Sequence, residues 1–261
     1  MRVTYIGHAT LLIETGGQRL LTDPNFDNAL GFFLPRVTAP GIALTDLPAL
    51  DAILLTHAHA DHLSFRSLNQ LPRTVPIFAP PAVATWLIAR GYVQARPLPA
   101  DSQVRVGDVV IHAAGAVHRG SRYAVDRWRS ATNMYLVDSS DESCFFAGDT
   151  GLTPDTHRVV SEVLHKHDRQ LDIALLPIGH APWWKPGFRR GHLSADDALQ
   201  LFERLGARFL VPYHWGTFNH VTSGAFDAIE RLRALLPAFH RGADVRILEP
   251  GHFLEHSTQT T

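Results

Sequence analysis

Three histidines and an aspartate fall within six residues at His57-Ala58-His59-Ala60-Asp61-His62. Neutral imidazole and carboxylate are the usual nitrogen and oxygen donors for zinc and related divalent metals. His57 and His59, two apart, can aim at one ion. Asp61 and His62, adjacent and past the bend, can aim at a neighbouring one. Two metals about 3.5–4 Å apart can activate a water and hold a displaced oxygen together. Four donor-type residues at this spacing are unlike a polar loop that merely exposes histidines. Three more candidates stand further on, each at the end of an apolar, strand-like run. His118 follows residues 109–117, Asp149 lies in Phe145-Phe146-Ala147-Gly148-Asp149-Thr150-Gly151, and His214 follows residues 209–213.

The elements that must position these donors read as strands ending in loops. Residues 51–55 form a short apolar run, β-branched at its centre, and residues 64–71 then take helical spacing. The histidine-rich stretch therefore sits on a strand-to-helix loop. Upstream, residues 2–6 alternate as a strand, and residues 11–14 and 19–22 flank Gly16-Gly17 as a hairpin. Asp23 ends the third strand, where it could accept a hydrogen bond from the free ring nitrogen of a ligand histidine or simply make a turn before Pro24. Residues 25–49 are loop-like. Within them, Ala29-Leu30-Gly31-Phe32-Phe33-Leu34 reads as cover for the core, with a wall for an apolar substrate as the alternative. After the first donor loop the pattern gives a strand at 75–78, a helix at 81–90 stopped by Gly91, and two strands around Gly107-Asp108. Arg119, Arg122, Arg127 and Arg129 follow His118, as a solvated loop or as holders of a phosphate or carboxylate. The second half gives strands at 132–137, 143–147, 172–176 and 208–211, and helices at 155–165 and 225–236. Another helix is opened by a capping box at Ser194-Ala195-Asp196-Asp197 and stopped by Gly206, and a last strand falls at 245–248.

His57-Ala58-His59-Ala60-Asp61-His62 resembles the H-x-H-x-D-H signature of the metallo-β-lactamase superfamily. The resemblance implies a four-layer αββα sandwich with metals at one edge between the sheets. It implies that His57, His59 and His118 hold one ion, that Asp61, His62 and His214 hold the other, and that Asp149 bridges them. A hydroxide between the ions would be the nucleophile. Gly7-His8-Ala9-Thr10, Leu176-Pro177-Ile178-Gly179 and His214-Trp215-Gly216-Thr217-Phe218 resemble one branch, which contains the N-acyl-phosphatidylethanolamine-hydrolysing phospholipase D and the ascorbate-6-phosphate lactonase. His192, before Ser194, matches a further histidine of that branch, whereas His180 and Trp183-Trp184 depart from its pattern. His8 is too far upstream to be one of the usual ligands and reads as a wall or supporting residue. Asp149 stands where zinc β-lactamases often carry cysteine, and His59 where the flavodiiron enzymes carry glutamate, so neither chemistry is expected.

The composition sets the frame. With 45% apolar and 19% charged residues the chain is an ordinary globular protein, read as a single domain over residues 1–261. A net charge of −1 and the absence of a basic block argue against nucleic acid. No apolar run approaches the ~20 residues of a transmembrane span. The N-terminus lacks a signal-peptide core and the single cysteine, Cys144, reads as a small core residue, so a reducing, cytoplasmic setting is expected. Of sixteen histidines, His165, His167 and His256 read as solvated. The expected function is a dinuclear metal hydrolase, first a phosphodiesterase of phospholipase D type, with a lactonase or other ester hydrolase as the alternative and a non-catalytic metal-binding protein behind both. The expected cofactors are two divalent ions, zinc first, with manganese or iron as alternatives. The expected partner is a small-molecule or lipid-like ester; the oligomeric state is open, a homo-oligomer included. Asp61 and His192 are the candidate catalytic residues. His192 is read as a proton donor to a departing alkoxide, since an imidazole with pKa near 6.5 can supply a proton at neutral pH.

Overall fold

Apolar residues of the first three strands alternate between two buried faces. In β1 (Arg2–Gly7), β2 (Thr10–Thr15) and β3 (Gln18–Thr22), Val3, Tyr5, Leu11, Ile13 and Leu20 join one buried cluster, while Ile6, Leu12 and Leu21 join another. Side chains with period two that are buried on both faces require a layer on each side of the sheet. The computed structural model, which describes residues 1–31, 34–122, 128–179, 190–219 and 223–257, shows both layers.

β4 (Ala29–Leu30) and β5 (Leu34–Pro35) pair as a separate two-stranded ribbon, and a seven-stranded sheet runs in the order β15-β1-β2-β3-β6-β7-β8, with β6 (Ala52–Leu54), β7 (Ile77–Ala79), β8 (Ala95–Pro97) and β15 (Phe253–Glu255). A six-stranded sheet packs against it in the order β14-β13-β12-β11-β10-β9. Its strands are β9 (Gln103–Val106), β10 (Val109–Gly115), β11 (Asn133–Asp138), β12 (Ser143–Phe146), β13 (Ile173–Pro177) and β14 (Phe209–Tyr213). Helices α1 (Phe65–Leu68) and α2 (Pro81–Ala89) bury Leu68, Val83, Ala84 and Leu87 on the outer face of the first sheet. Helices α3 (Arg158–Val163), α4 (Ala195–Leu205) and α5 (Asp227–Leu235) cover the second. The result is the αββα sandwich.

Local chemistry explains the junctions. Gly16 and Gly17 have φ of 54° and 72°, the left-handed pair that a tight two-residue hairpin needs. The Ser194 side chain accepts from the Asp197 N–H while the Asp197 carboxylate accepts from the Ser194 N–H, so the capping box starts α4, and Gly206 stops it. Two sequence expectations change. Residues 245–248 form no strand: Val245 makes one isolated bridge to Leu210, and Val245 and Leu248 are buried by packing. The last strand is β15, which pairs antiparallel with β1 through Val3 and Leu254. The helix expected over 155–165 is shorter, with α-helical bonding at Arg158–Val163 and a 3₁₀ turn at His165–His167.

A candidate metal centre at the strand ends

Strand direction gathers the donors. In the first sheet β1 is antiparallel to β2 and β2 to β3, so β1 and β3 run the same way, and β6 runs parallel to β3. In the second sheet β10 and β12 are both antiparallel to β11, and β13 and β14 continue parallel to β12. His8, Asp23, the 57–62 loop, His118, Asp149 and His214 all lie just beyond the C-terminal ends of like-directed strands, where ligand sites of such sheets are found. Within the described residues, three of the five non-glycine residues with positive φ belong here: His8 (57°), Asp23 (33°) and His214 (67°). Backbone strain of this kind persists where surrounding bonds fix it. The His214 N–H donates to the His8 carbonyl at 2.9 Å, holding two of the three together.

The donor atoms form two sets. His62 Nε2 lies 3.3 Å from His214 Nε2, and Asp61 Oδ2 lies 3.7 and 3.6 Å from those two nitrogens. Asp149 completes this group, with Oδ2 at 3.4 Å from His62 and Oδ1 at 3.4 Å from His214. Donors held at about 2.0–2.1 Å around one tetrahedral ion stand about 3.3–3.4 Å apart, so these five edges suit such an ion. In the other set His59 Nδ1 lies 3.0 Å from His57 Nε2 and 3.1 Å from His118 Nε2, and Asp149 Oδ2 is 4.0 Å from His118. Asp149 thus stands between the sets.

The outer ring nitrogens decide what the inner ones offer. His62 Nδ1 is 2.7 Å from Asp23 Oδ2, and the Asp23 carboxylate also accepts from the Thr56 hydroxyl at 2.6 Å and the Thr56 N–H at 2.8 Å. Since that hydroxyl donates to Asp23, it accepts from His57 Nδ1, 2.9 Å away. His118 Nδ1 donates to the Gly191 carbonyl at 2.8 Å. With their outer nitrogens acting as donors, His57 and His118 present bare lone pairs inward, and His62 does so once its inner proton gives way to a metal. Converging lone pairs and two carboxylates demand a cation, and the donor set therefore fits divalent metal. Asp23, which the sequence left between turn and support, supports both sets.

The electrostatics carry the same demand. Burial alone would lower the pKa of His62, but the Asp149, Asp61 and Asp23 carboxylates hold it well above the usual imidazole value. Burial and neighbouring imidazoles push His57 well below that value, and burial brings His118 and His8 down to about 3. Burial would raise Asp149 and Asp61, yet the surrounding histidines, His214 and His62 for Asp149 and His62 first for Asp61, keep both carboxyls well below the usual range.

Other expected residues fall into place around this core. His192 Nε2 lies 3.5 Å from Asp149 Oδ2, with its ring edge-on to His118 at 4.7 Å. His8 Nε2 lies 3.0 Å from Asp61 Oδ2, and its ring packs on His214 at 3.8 Å between centroids. Gly179 backs onto His214 so closely that a Cβ there would strike the ring. Arg122 is buried rather than solvated: it donates to the Ala58 and Leu63 carbonyls at 3.0 and 2.6 Å, bracketing the donor loop. Arg119 and Arg129 are exposed, as are His165 and His167, whereas His256 pairs with Asp172 at 3.1 Å. Cys144 is fully buried. Leu30 and Leu34 of the 29–34 stretch line a cavity of about 580 Å³ beside the centre. Phe32, Phe33, Arg127, His180, Trp183 and Trp184 lie outside the described residues. The supporting roles of Thr56, Gly191 and Arg122 were missed from sequence; Thr56 alone left a trace, as a hydroxyl residue immediately before His57.

Residues 18–215 match the model of the beta-lactamase superfamily domain. The chain is 26% identical over 254 residues to the N-acyl-phosphatidylethanolamine-hydrolyzing phospholipase D 1 of Caenorhabditis elegans, covering 90% of this chain and 69% of that one. It is 28% identical over 259 residues to a UPF0173 metal-dependent hydrolase of Pyrobaculum arsenaticum, covering 98% and 100%. Against a Mycobacterium bovis relative, 28% identical over 255 residues, the chain spans 65% of the relative's length. Among solved structures, the isothiocyanate hydrolase from Delia radicum gut bacteria superposes with a TM-score of 0.80 at 21% identity, over 98% of this chain and 99% of that one. At that identity the likeness is one of fold. No helix among the described residues is long and apolar enough to cross a membrane.

Proposed function

We propose that the chain, which belongs to the beta-lactamase superfamily, is a metal-dependent hydrolase that cleaves a phosphodiester with two divalent ions. The observation that carries the reading is the pair of donor sets meeting on Asp149. His57, His59 and His118 would hold one ion, and Asp61, His62 and His214 the other, with Asp149 between. Nitrogen-rich sets with hard carboxylates suit zinc first and accept manganese or iron. Divalent ions at these positions would supply Lewis acidity and a nucleophile available at neutral pH.

The chain's own groups then have distinct tasks. The side chain of Asp61 is 25% exposed against 3% for Asp149 and 0% for Asp23, so it is the carboxylate that faces incoming substrate and can take a proton from the attacking water. His192, beside Asp149, is placed to give a proton to the departing oxygen. The phosphodiester is supported by the likeness to the nematode phospholipase D. A lactone or carboxylic ester is the second reading, favoured by the apolar wall beside the centre.

The test is turnover of an alkyl nitrophenyl phosphodiester, a nitrophenyl ester and a lactone by protein loaded with zinc or manganese. Turnover of the diester that is lost on chelation and restored by metal supports the reading. Metal-dependent cleavage of the ester or lactone alone transfers it to the second reading, and no turnover of any of them overturns both.

A further inference from the structure

The cavity of about 580 Å³ meets the metal centre on one side only. His8, Asp61 and His214 form its inner end, whereas none of His57, His59, His118 and His192 lines it among the described residues. Its walls come from Leu30, Leu34, Ile178, Trp215, Phe218 and Ala228. The size and the apolar lining are those of a site that swallows a compact organic group. Its charges disfavour an anion inside. Asp61, Asp196 and Asp227 line it, and the one described cation, Arg231, is bound through Nε and a terminal nitrogen to both oxygens of Asp196 at 3.1 and 2.8 Å.

His192 does not line the cavity, although Ser194 and Ala195 do; its ring lies against His118 and Asp149. A scissile group placed at Asp149 therefore has the cavity next to it through His214 and the His192 imidazole next to it directly. In hydrolysis water adds to the scissile phosphorus or carbon. The bond from that atom to the leaving oxygen breaks, and the leaving oxygen takes a proton. The fragment at His192 is the one that departs; the fragment in the cavity keeps the new hydroxyl.

We infer that the cavity binds an uncharged, apolar substituent on the retained side of the substrate and sets specificity for its length. The inference rests on the hydrolytic reading above for the direction of cleavage, and on the cavity itself for the occupant.

The experiment has a kinetic arm and a binding arm, both on the metal-loaded protein. In the first the nitrophenyl leaving group is constant and the retained chain grows from methyl to octyl in phosphodiesters, or from acetyl to octanoyl in esters. The longer chain should raise kcat/KM by about 10- to 100-fold, chiefly through KM, as expected for burying methylenes. Lengthening the leaving group instead should give no such rise. Ala228→Trp, which fills the cavity, and Leu34→Asp, which charges its wall, should each bring the long-to-short ratio close to one. In the second arm octanol binding is followed by calorimetry. Binding that is lost in both variants, without turnover of any substrate, would leave the cavity assignment standing and remove the hydrolytic reading. Turnover insensitive to retained-chain length, or dependent on leaving-chain length, with no octanol binding, would overturn the assignment.

Discussion

One buried carboxylate, Asp23, reaches both donor sets. It accepts from His62 directly and, through the Thr56 hydroxyl, governs the ring of His57. Asp23→Asn keeps the volume but replaces one acceptor oxygen by a donor, so the two ring orientations can no longer be fixed together. Loss of such a supporting partner costs about 10–100-fold in metal affinity, and a chelator competition should show it with the fold intact by circular dichroism. The titration of the centre gives a second expectation. His57, His118 and His8 have lowered folded-state pKa values, so between pH ~6.5 and the lower folded values the unfolded chain binds more protons and stability rises with pH. His62, held high, contributes in the opposite sense, but only above pH ~6.5, where the unfolded imidazole loses its proton and the folded one keeps it. The Tm of metal-free protein should therefore fall as pH drops from ~6.5 towards the lowered values; a Tm that rises over that interval would contradict the burial described. At this scale the sequence was legible where spacing carries chemistry, as in residues 57–62. It was not legible where the partner is a backbone carbonyl such as that of Gly191, because every residue has one.

At the level of elements, the donor loop is gripped from outside. Arg122, on the segment that follows His118, bonds the carbonyls before and after the donors His59, Asp61 and His62. From sequence its cluster of arginines looked solvated or anion-binding, since nothing in residue type tells that a guanidinium will meet main-chain oxygens. Arg122→Ala should leave two buried carbonyls short of a donor, at about 1–3 kcal/mol each, and should lower both Tm and metal affinity. Arg122→Lys can still reach a carbonyl and should recover part of the metal affinity. A Tm loss with unchanged metal affinity in the alanine variant would mean that the grip does not position the loop. Strand and helix order was largely readable because apolar period, Gly16-Gly17 and the Ser194 box agree locally with the fold. β15 was missed because three half-exposed residues at a sheet edge carry almost no pattern.

Across the whole molecule, each donor set draws on both sheets: His57 and His59 with His118, and Asp61 and His62 with His214. The sandwich was foreseeable from the superfamily signature, but the place of the cavity was not, because its lining comes from many separate stretches of chain. Metal that binds the folded protein and not the unfolded chain stabilises by mass action. Saturating zinc should raise Tm and chelation should lower it, and no shift would remove the cross-sheet ligation. The one-sided cavity also bears on time. Ions at the two positions would not be reached by the same route: one would adjoin the cavity through Asp61 and His214, the other would lie away from it, among His57, His59 and His118 beside the Gly191 segment. Exchange with solvent should then be biphasic, the cavity-side ion leaving first. Brief chelation followed by a second metal would yield a protein carrying two different ions in a known order, and the history of a preparation, as much as its composition, would decide what it contains.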